Sequence, residues 1–143
     1  MIVQILQPKN LYKAYRRVVS NKGAGGVDGM EVNELRQYLA THQENLVRDV
    51  LKSTYLPSAI RGVKIPKNKG GYRLLGIPTV VDRWLQQAVS QILMTRYELS
   101  FSDSSYGFRP NRNIQQAVQQ SLKYINDGYQ DIVDIDLKKF FDE

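Results

Sequence analysis

The order of segments along the chain predicts an α+β fold: helices, then a β-hairpin, two further helices and a short strand. Three observations carry this expectation. Apolar residues recur at helical spacing early in the chain, and again over Val81–Leu93 and Ile114–Ile125. Residues 59–66 and 72–77 read as strands flanking the turn-forming cluster Asn68-Lys-Gly-Gly71. Ile132-Val-Asp-Ile-Asp-Leu137 is a short apolar run with acids at alternate positions, the pattern of a central strand that needs partners on both edges.

Taken in order, Asn10 is the expected N-cap of a helix carrying Leu11, Ala14, Tyr15, Val18 and Val19, ending at Asn21. Lys22-Gly-Ala-Gly-Gly-Val-Asp-Gly29 holds four glycines in eight residues and reads as a loop with left-handed or close-approach backbone. Two short helices are expected next, one with Val32, Leu35 and Leu39, the other with Leu46, Val50 and Leu51, before Tyr55-Leu-Pro57 breaks the pattern. After the hairpin, Thr79 and Asp82 form a variant of the capping box at the start of a long helix whose apolar face includes Val81, Trp84, Leu85, Ala88, Val89, Ile92 and Leu93. Ser104–Arg112 is a loop, and the helix from Ile114 to Ile125 closes on Gly128 as its C′ residue. No internal repeat, low-complexity tract or linker interrupts this order.

Composition bounds the chemistry. At 143 residues and 42% hydrophobic the chain can build one core, or a small subdomain and the beginning of another. A net charge of +6 favours a polyanionic partner, although many proteins without such a partner carry as much. The absence of cysteine excludes disulfides, thiolate metal sites and cysteine nucleophiles, and a single histidine, His42, excludes histidine triads and multi-histidine zinc sites. His42 reads as a surface helix residue. No apolar stretch approaches the roughly 20 residues of a membrane span, and the first residues lack the basic region of a secretory signal, so a soluble, cytoplasmic protein without membrane contact is expected.

Residues two apart on a strand share a face, which would place Asp134 and Asp136 side by side. Buried unpaired acids are costly, and a hard divalent cation such as Mg²⁺ is the usual resolution; a terminal edge strand with both acids solvated is the alternative. The hairpin concentrates Arg61, Lys64, Lys67, Lys69 and Arg73 within thirteen residues that contain no acid. Cations so placed beside a carboxylate site suit phosphoryl transfer from a triphosphate, while lysines guarding an exposed strand edge are the simpler explanation. The glycine-rich loop lacks the Gly-x-x-x-x-Gly-Lys-Ser/Thr pattern of a phosphate-binding loop. Tyr106, Phe108, Arg109 and Arg112 interleave rings and cations in a way that suits base stacking and phosphate contact, or equally a loop with its rings packed and its arginines in water.

Together, Asn21–Gly29, Val63-Lys-Ile-Pro-Lys-Asn-Lys-Gly-Gly-Tyr-Arg-Leu-Leu-Gly-Ile-Pro-Thr79, Asp82-Arg83, Ser105-Tyr-Gly-Phe-Arg-Pro-Asn-Arg112 and Val133-Asp-Ile-Asp-Leu-Lys-Lys-Phe-Phe-Asp142 closely resemble, in order and spacing, the N-terminal blocks of reverse transcriptases encoded by bacterial group II introns. Retron, diversity-generating and CRISPR-linked reverse transcriptases share some of these blocks.

The resemblance implies a right-hand polymerase, with an N-terminal extension and glycine-rich loop over 1–30, fingers over 31–128 and the start of the palm over 129–143. Lys67 and Arg73 match fingers residues that contact the triphosphate of the incoming dNTP, and Phe141 matches an aromatic gate against the ribose 2′-hydroxyl. Asp136 matches the first catalytic, Mg²⁺-binding aspartate, and Leu137 would offer its backbone carbonyl to the metal. Asp134 is then a structural or salt-bridging residue rather than a metal ligand. Residues 10–29 resemble the extension that lies against template RNA, and 106–112 the block near the template base; Lys22, Lys64, Lys69, Tyr106, Arg109 and Arg112 are the expected RNA contacts. Implied partners are intron or template RNA and a DNA primer, and the implied role is RNA-directed DNA synthesis with a maturase role in splicing. The Tyr-x-Asp-Asp segment carrying the other catalytic aspartates does not occur in the sequence, so this chain alone is expected not to polymerise. Two further expectations follow from how soon the chain stops after Leu137: it is the front part of a larger protein, and the strand or the fingers make a homotypic, dimer-like contact. The rival reading is a non-catalytic RNA-binding module.

Overall fold

Proline cannot donate a backbone hydrogen bond but fits the first turn of a helix, and Pro8 opens the first long helix of the chain. The computed structural model, which describes residues 1–68 and 70–137, is α+β and divides into two units, Met1–Tyr97 and Glu98 onward. The first unit contains α1 (Ile2–Ile5), α2 (Pro8–Ser20), α3 (Leu35–Leu51), β1 (Arg61–Pro66), β2 (Tyr72–Ile77) and α4 (Val80–Tyr97). The second contains a 3-10 turn at Glu98–Ser100 and α5 (Ile114–Asn126).

One core serves the first unit. Leu11, Ala14 and Val18 of α2, Leu35 and Leu39 of α3, and Val80, Trp84, Leu85 and Ala88 of α4 are buried together, with Ile5 and Leu6 closing one end. Trp84 lies fully inside, and its indole N–H donates to the Leu11 carbonyl at 3.0 Å, so its one polar atom is satisfied. The two strands form an antiparallel hairpin in the register Arg61↔Ile77 to Pro66↔Tyr72, close to the expected ranges. Gly70 and Gly71, both at positive φ, carry the chain back.

Three expectations change. Asn10 is not a cap: Gln7 holds that position, and Asn10 sits inside the first turn of α2. Its amide donates to the carbonyls of Ile5 at 2.7 Å and Ala88 at 3.0 Å, tying α1, α2 and α4 together. The two short helices are one, α3, because residues 40–45 contain neither glycine nor proline and Leu39 and Leu46 keep a seven-residue spacing across them. Residues 131–137 form neither helix nor strand, so the first palm strand expected at Ile132–Leu137 does not form among the described residues. The hairpin is the one sheet there, and a lone segment has no ladder to join.

Helix α5 is as expected, closed by Gly128 at φ +96°. It starts on a capping box, with Asn113 and Gln116 each accepting from the other's backbone N–H.

Candidate functional site

The hairpin is moored at both ends by one buried acid. Asp82, 3% exposed in the first turn of α4, accepts from the Tyr55 hydroxyl at 2.7 Å, the Ser58 N–H at 3.1 Å and the Thr79 hydroxyl at 2.5 Å. Tyr55 and Ser58 precede β1, and Thr79 follows β2. In return the Asp82 N–H donates to the Thr79 hydroxyl at 3.2 Å, the reciprocal pairing of the expected cap variant. Burial of Tyr55, reinforced by its hydrogen bond to Asp82, holds the phenol well above the usual tyrosine range. Sequence reasoning placed Asp82 in the cap and, with Arg83, in one of the blocks of the family resemblance, without a link to Tyr55. Its reach to Tyr55 joins residues with no local pattern between them.

Register sorts the hairpin cations. Residues paired across an antiparallel ladder share a face, so Arg61, Val63 and Ile65 lie on one side with Ile77, Leu75 and Arg73. The Lys67 N–H donates to the Gly71 carbonyl at 3.0 Å, extending the ladder, and alternation carried two residues past Ile65 assigns Lys67 to that same side. Lys64 pairs with Leu74 on the opposite side, beside Pro66 and Tyr72. Lys64, Lys67 and Arg73 are all exposed. Lys69 lies outside the described residues.

The glycine-rich loop packs against the base of the hairpin. Arg61 donates to the Gly25 carbonyl at 3.3 Å, and Arg83 to the Ala24 carbonyl at 2.7 Å. A methyl group on Gly26 would fall 2.7 Å from Thr79 Cα, so the loop approaches the start of α4 backbone to backbone. Lys22, at φ +48° and exposed, stands where α2 gives way to this loop.

In the second unit, Arg109 organises the loop before α5. All five of its N–H donors have acceptors: Nε and Nη2 on Glu98 Oε1 at 3.2 and 2.9 Å, Nη2 again on the Glu98 carbonyl at 3.3 Å, and Nη1 on the carbonyls of Ser102 at 2.6 Å and Ser105 at 3.0 Å. Its side chain is 6% exposed and lies over Phe101. Arg112 lies over the Tyr106 ring at 5.6 Å and donates to Asp103 at 3.3 Å. Phe108 stands fully exposed at φ +55°. The loop thus presents a ring and a partly exposed cation, held from beneath by Arg109.

Asp134 and Asp136 are both exposed on the 131–137 segment, and Leu137 is largely so. The Asp136 carboxylate and the Leu137 carbonyl are hard oxygen donors of the kind Mg²⁺ takes, but among the described residues no group of three or more acids or histidines stands together. They fit one part of a metal site. Phe141 lies outside the described residues. No helix among the described residues is long and apolar enough to cross a membrane.

The first unit sets a basic hairpin on a helical core, and the second carries an exposed acidic segment; the sequence match supplies the class. Residues 65–143 match the reverse transcriptase (RNA-dependent DNA polymerase) family, and the chain belongs to it. Within that family it is similar to the group II intron-encoded protein LtrA of Lactococcus lactis subsp. cremoris, 34% identical over 139 residues, and to protein YkfC of Escherichia coli (strain K12), 35% identical over 144 residues. Each match takes in 96% of this chain but only 23% of LtrA and 38% of YkfC. The chain therefore spans well under half the length of these relatives.

Proposed function

We propose that this chain is the fingers and the beginning of the palm of a group II intron reverse transcriptase, the part that holds template RNA and the incoming dNTP. The observation that carries the reading is the shared face of Lys67 and Arg73, two exposed cations in an acid-free hairpin inside the matched region. In this reading they take the triphosphate, whose charge rises at the leaving oxygens during transfer. Lys22, Lys64, Tyr106 and Arg112 meet RNA, and Arg109 positions the last two rather than contacting phosphate.

Asp136 is the first catalytic aspartate of the parent enzyme, which would supply Mg²⁺ chemistry with acids from elsewhere in its chain. Intron RNA, template and DNA primer are the proposed partners, and splicing assistance the proposed second role. One carboxylate cannot clamp two ions, so this chain alone is expected to show no Mg²⁺-dependent primer extension on an RNA template. Extension that disappears in Asp136→Ala would overturn that expectation.

The second reading, an RNA-binding module without catalysis, is favoured by α2, which carries four cations and no acid. It predicts salt-dependent RNA binding indifferent to dNTP.

A further inference from the structure

Among the described residues the hairpin is a sheet of two strands, so each strand keeps one edge without a ladder partner. On β1 that edge ends at Pro66, which has no N–H to offer. β2 contains no proline, and all of it but Ile77 is exposed. The bond from the Lys67 N–H to the Gly71 carbonyl fixes the phase of the ladder. Arg73, Leu75 and Ile77 then turn their backbone groups toward β1, while Tyr72, Leu74 and Gly76 turn theirs outward. The β2 edge is therefore the one that can take a further strand.

Charge and side-chain pattern point to one occupant. Arg61, Lys64, Lys67 and Arg73 lie in a hairpin without acids, so two hairpins brought edge to edge repel each other. The second unit carries the complement. Asp131-Ile-Val-Asp-Ile-Asp-Leu137 has three acids and no cation, is exposed throughout and forms neither helix nor strand. Among the described residues none of these acids is in an ion pair. Extended, the segment shows Val133, Ile135 and Leu137 on one side and Asp134 and Asp136 on the other. β2 is divided in the same way, with Tyr72 and Leu74, 68% and 72% exposed, on one side and Arg73, with Leu75, on the other. A strand laid on β2 can thus set apolar side chains beside Tyr72 and Leu74 and carboxylates beside Arg73 at once, and a slip of one residue would undo both matches.

We infer that residues 131–137 of one copy of this chain add to the β2 edge of a second copy as an antiparallel third strand, and that two such additions close a dimer. The segment gains the ladder it lacks alone, and the hairpin gains a third strand over its exposed edge. The pairing stands on edge, pattern and charge, independently of the proposed dNTP role of the hairpin.

The test combines sedimentation of the 143-residue chain at low salt with amide exchange over a wide range of protein concentration. The expected mass rises from 16.4 kDa toward twice that value with concentration. Exchange at Tyr72, Leu74 and Gly76 slows in step, while Arg73 and Leu75, already bonded to β1, change less. Ile135→Pro takes no ladder bond from the separate chain but removes an N–H aimed at β2, and should weaken association roughly tenfold and abolish the protection. Asp134→Lys with Asp136→Lys should weaken it too, and adding Arg73→Glu should restore part of the loss. A chain that stays monomeric throughout, or an association that survives both Ile135→Pro and the charge reversal, would overturn the proposal. Protection of the three β2 amides in the monomer at every concentration would place the segment on its own hairpin and overturn the role of the second copy.

Discussion

The Tyr55 hydroxyl meets Asp82 Oδ1 at 2.7 Å, fastening the segment before β1 to the first turn of α4, where the chain leaves β2 through Thr79. A two-stranded hairpin has little stability of its own, so its position depends on this clamp and on Arg61 reaching the glycine-rich loop.

Asp82→Ala leaves the Tyr55 and Thr79 hydroxyls and the Ser58 N–H without their acceptor. Hydrogen bonds to a charged group are worth about 1.5–3 kcal/mol, so we expect a loss of roughly 3 kcal/mol in urea unfolding, and about half of that for Tyr55→Phe. A wild-type midpoint in Asp82→Ala would show that the clamp does not hold the hairpin.

The raised Tyr55 pKa sets a pH dependence. The folded state keeps the phenol protonated where the unfolded chain, with an ordinary pKa of about 10, begins to lose its proton. The contribution is therefore complete below about pH 10 and is lost as pH rises through the folded value. Unfolding midpoints should fall more steeply above that pH in the wild type than in Tyr55→Phe; parallel curves would mean that Tyr55 titrates normally.

Gly26→Ala drives a methyl group to 2.7 Å from Thr79 Cα, where no flexible side chain can yield. We expect a cost of about 1–3 kcal/mol, the range for overpacking, with hydrogen-exchange protection lost around Thr79. Gly107→Ala, whose added methyl meets nothing within 4 Å, should be neutral.

Arg109→Lys should loosen the loop before α5, because an ammonium has three donors where the guanidinium places five. Faster amide exchange over residues 102–112 is the expected readout. Arg112→Ala should leave that exchange unchanged, weaken RNA binding, and reduce the salt slope by about one.

Much of the architecture was legible in periodicity. The apolar spacing of Leu11, Ala14 and Val18 and of Trp84, Leu85 and Ala88 marked the packed faces, and the glycines after Asn68 marked the turn. Asn10 was misread because a short polar residue before an apolar stripe has the same sequence signature whether it caps its own helix or reaches across to Ala88. The strand expected at Ile132–Leu137 was read from local pattern alone, whereas a strand exists only through partners. The roles of Arg109 and Asp82 were equally hidden: an arginine that follows two rings looks the same in sequence whether its donors face solvent or four acceptor atoms on Glu98, Ser102 and Ser105. The sorting of Lys67 and Arg73 from Lys64 needed the register, which the expected ranges implied but did not state.

The most direct test of the account is triphosphate binding to the isotope-labelled chain at low salt, followed by amide chemical shifts around the hairpin in wild type, Lys67→Ala, Arg73→Ala and Lys64→Ala. The account predicts dATP-dependent shifts that weaken in Lys67→Ala and Arg73→Ala and persist in Lys64→Ala. Equal weakening in all three, or shifts centred on Lys64, would mean that the hairpin acts as general positive charge and would contradict a face built for the incoming nucleotide.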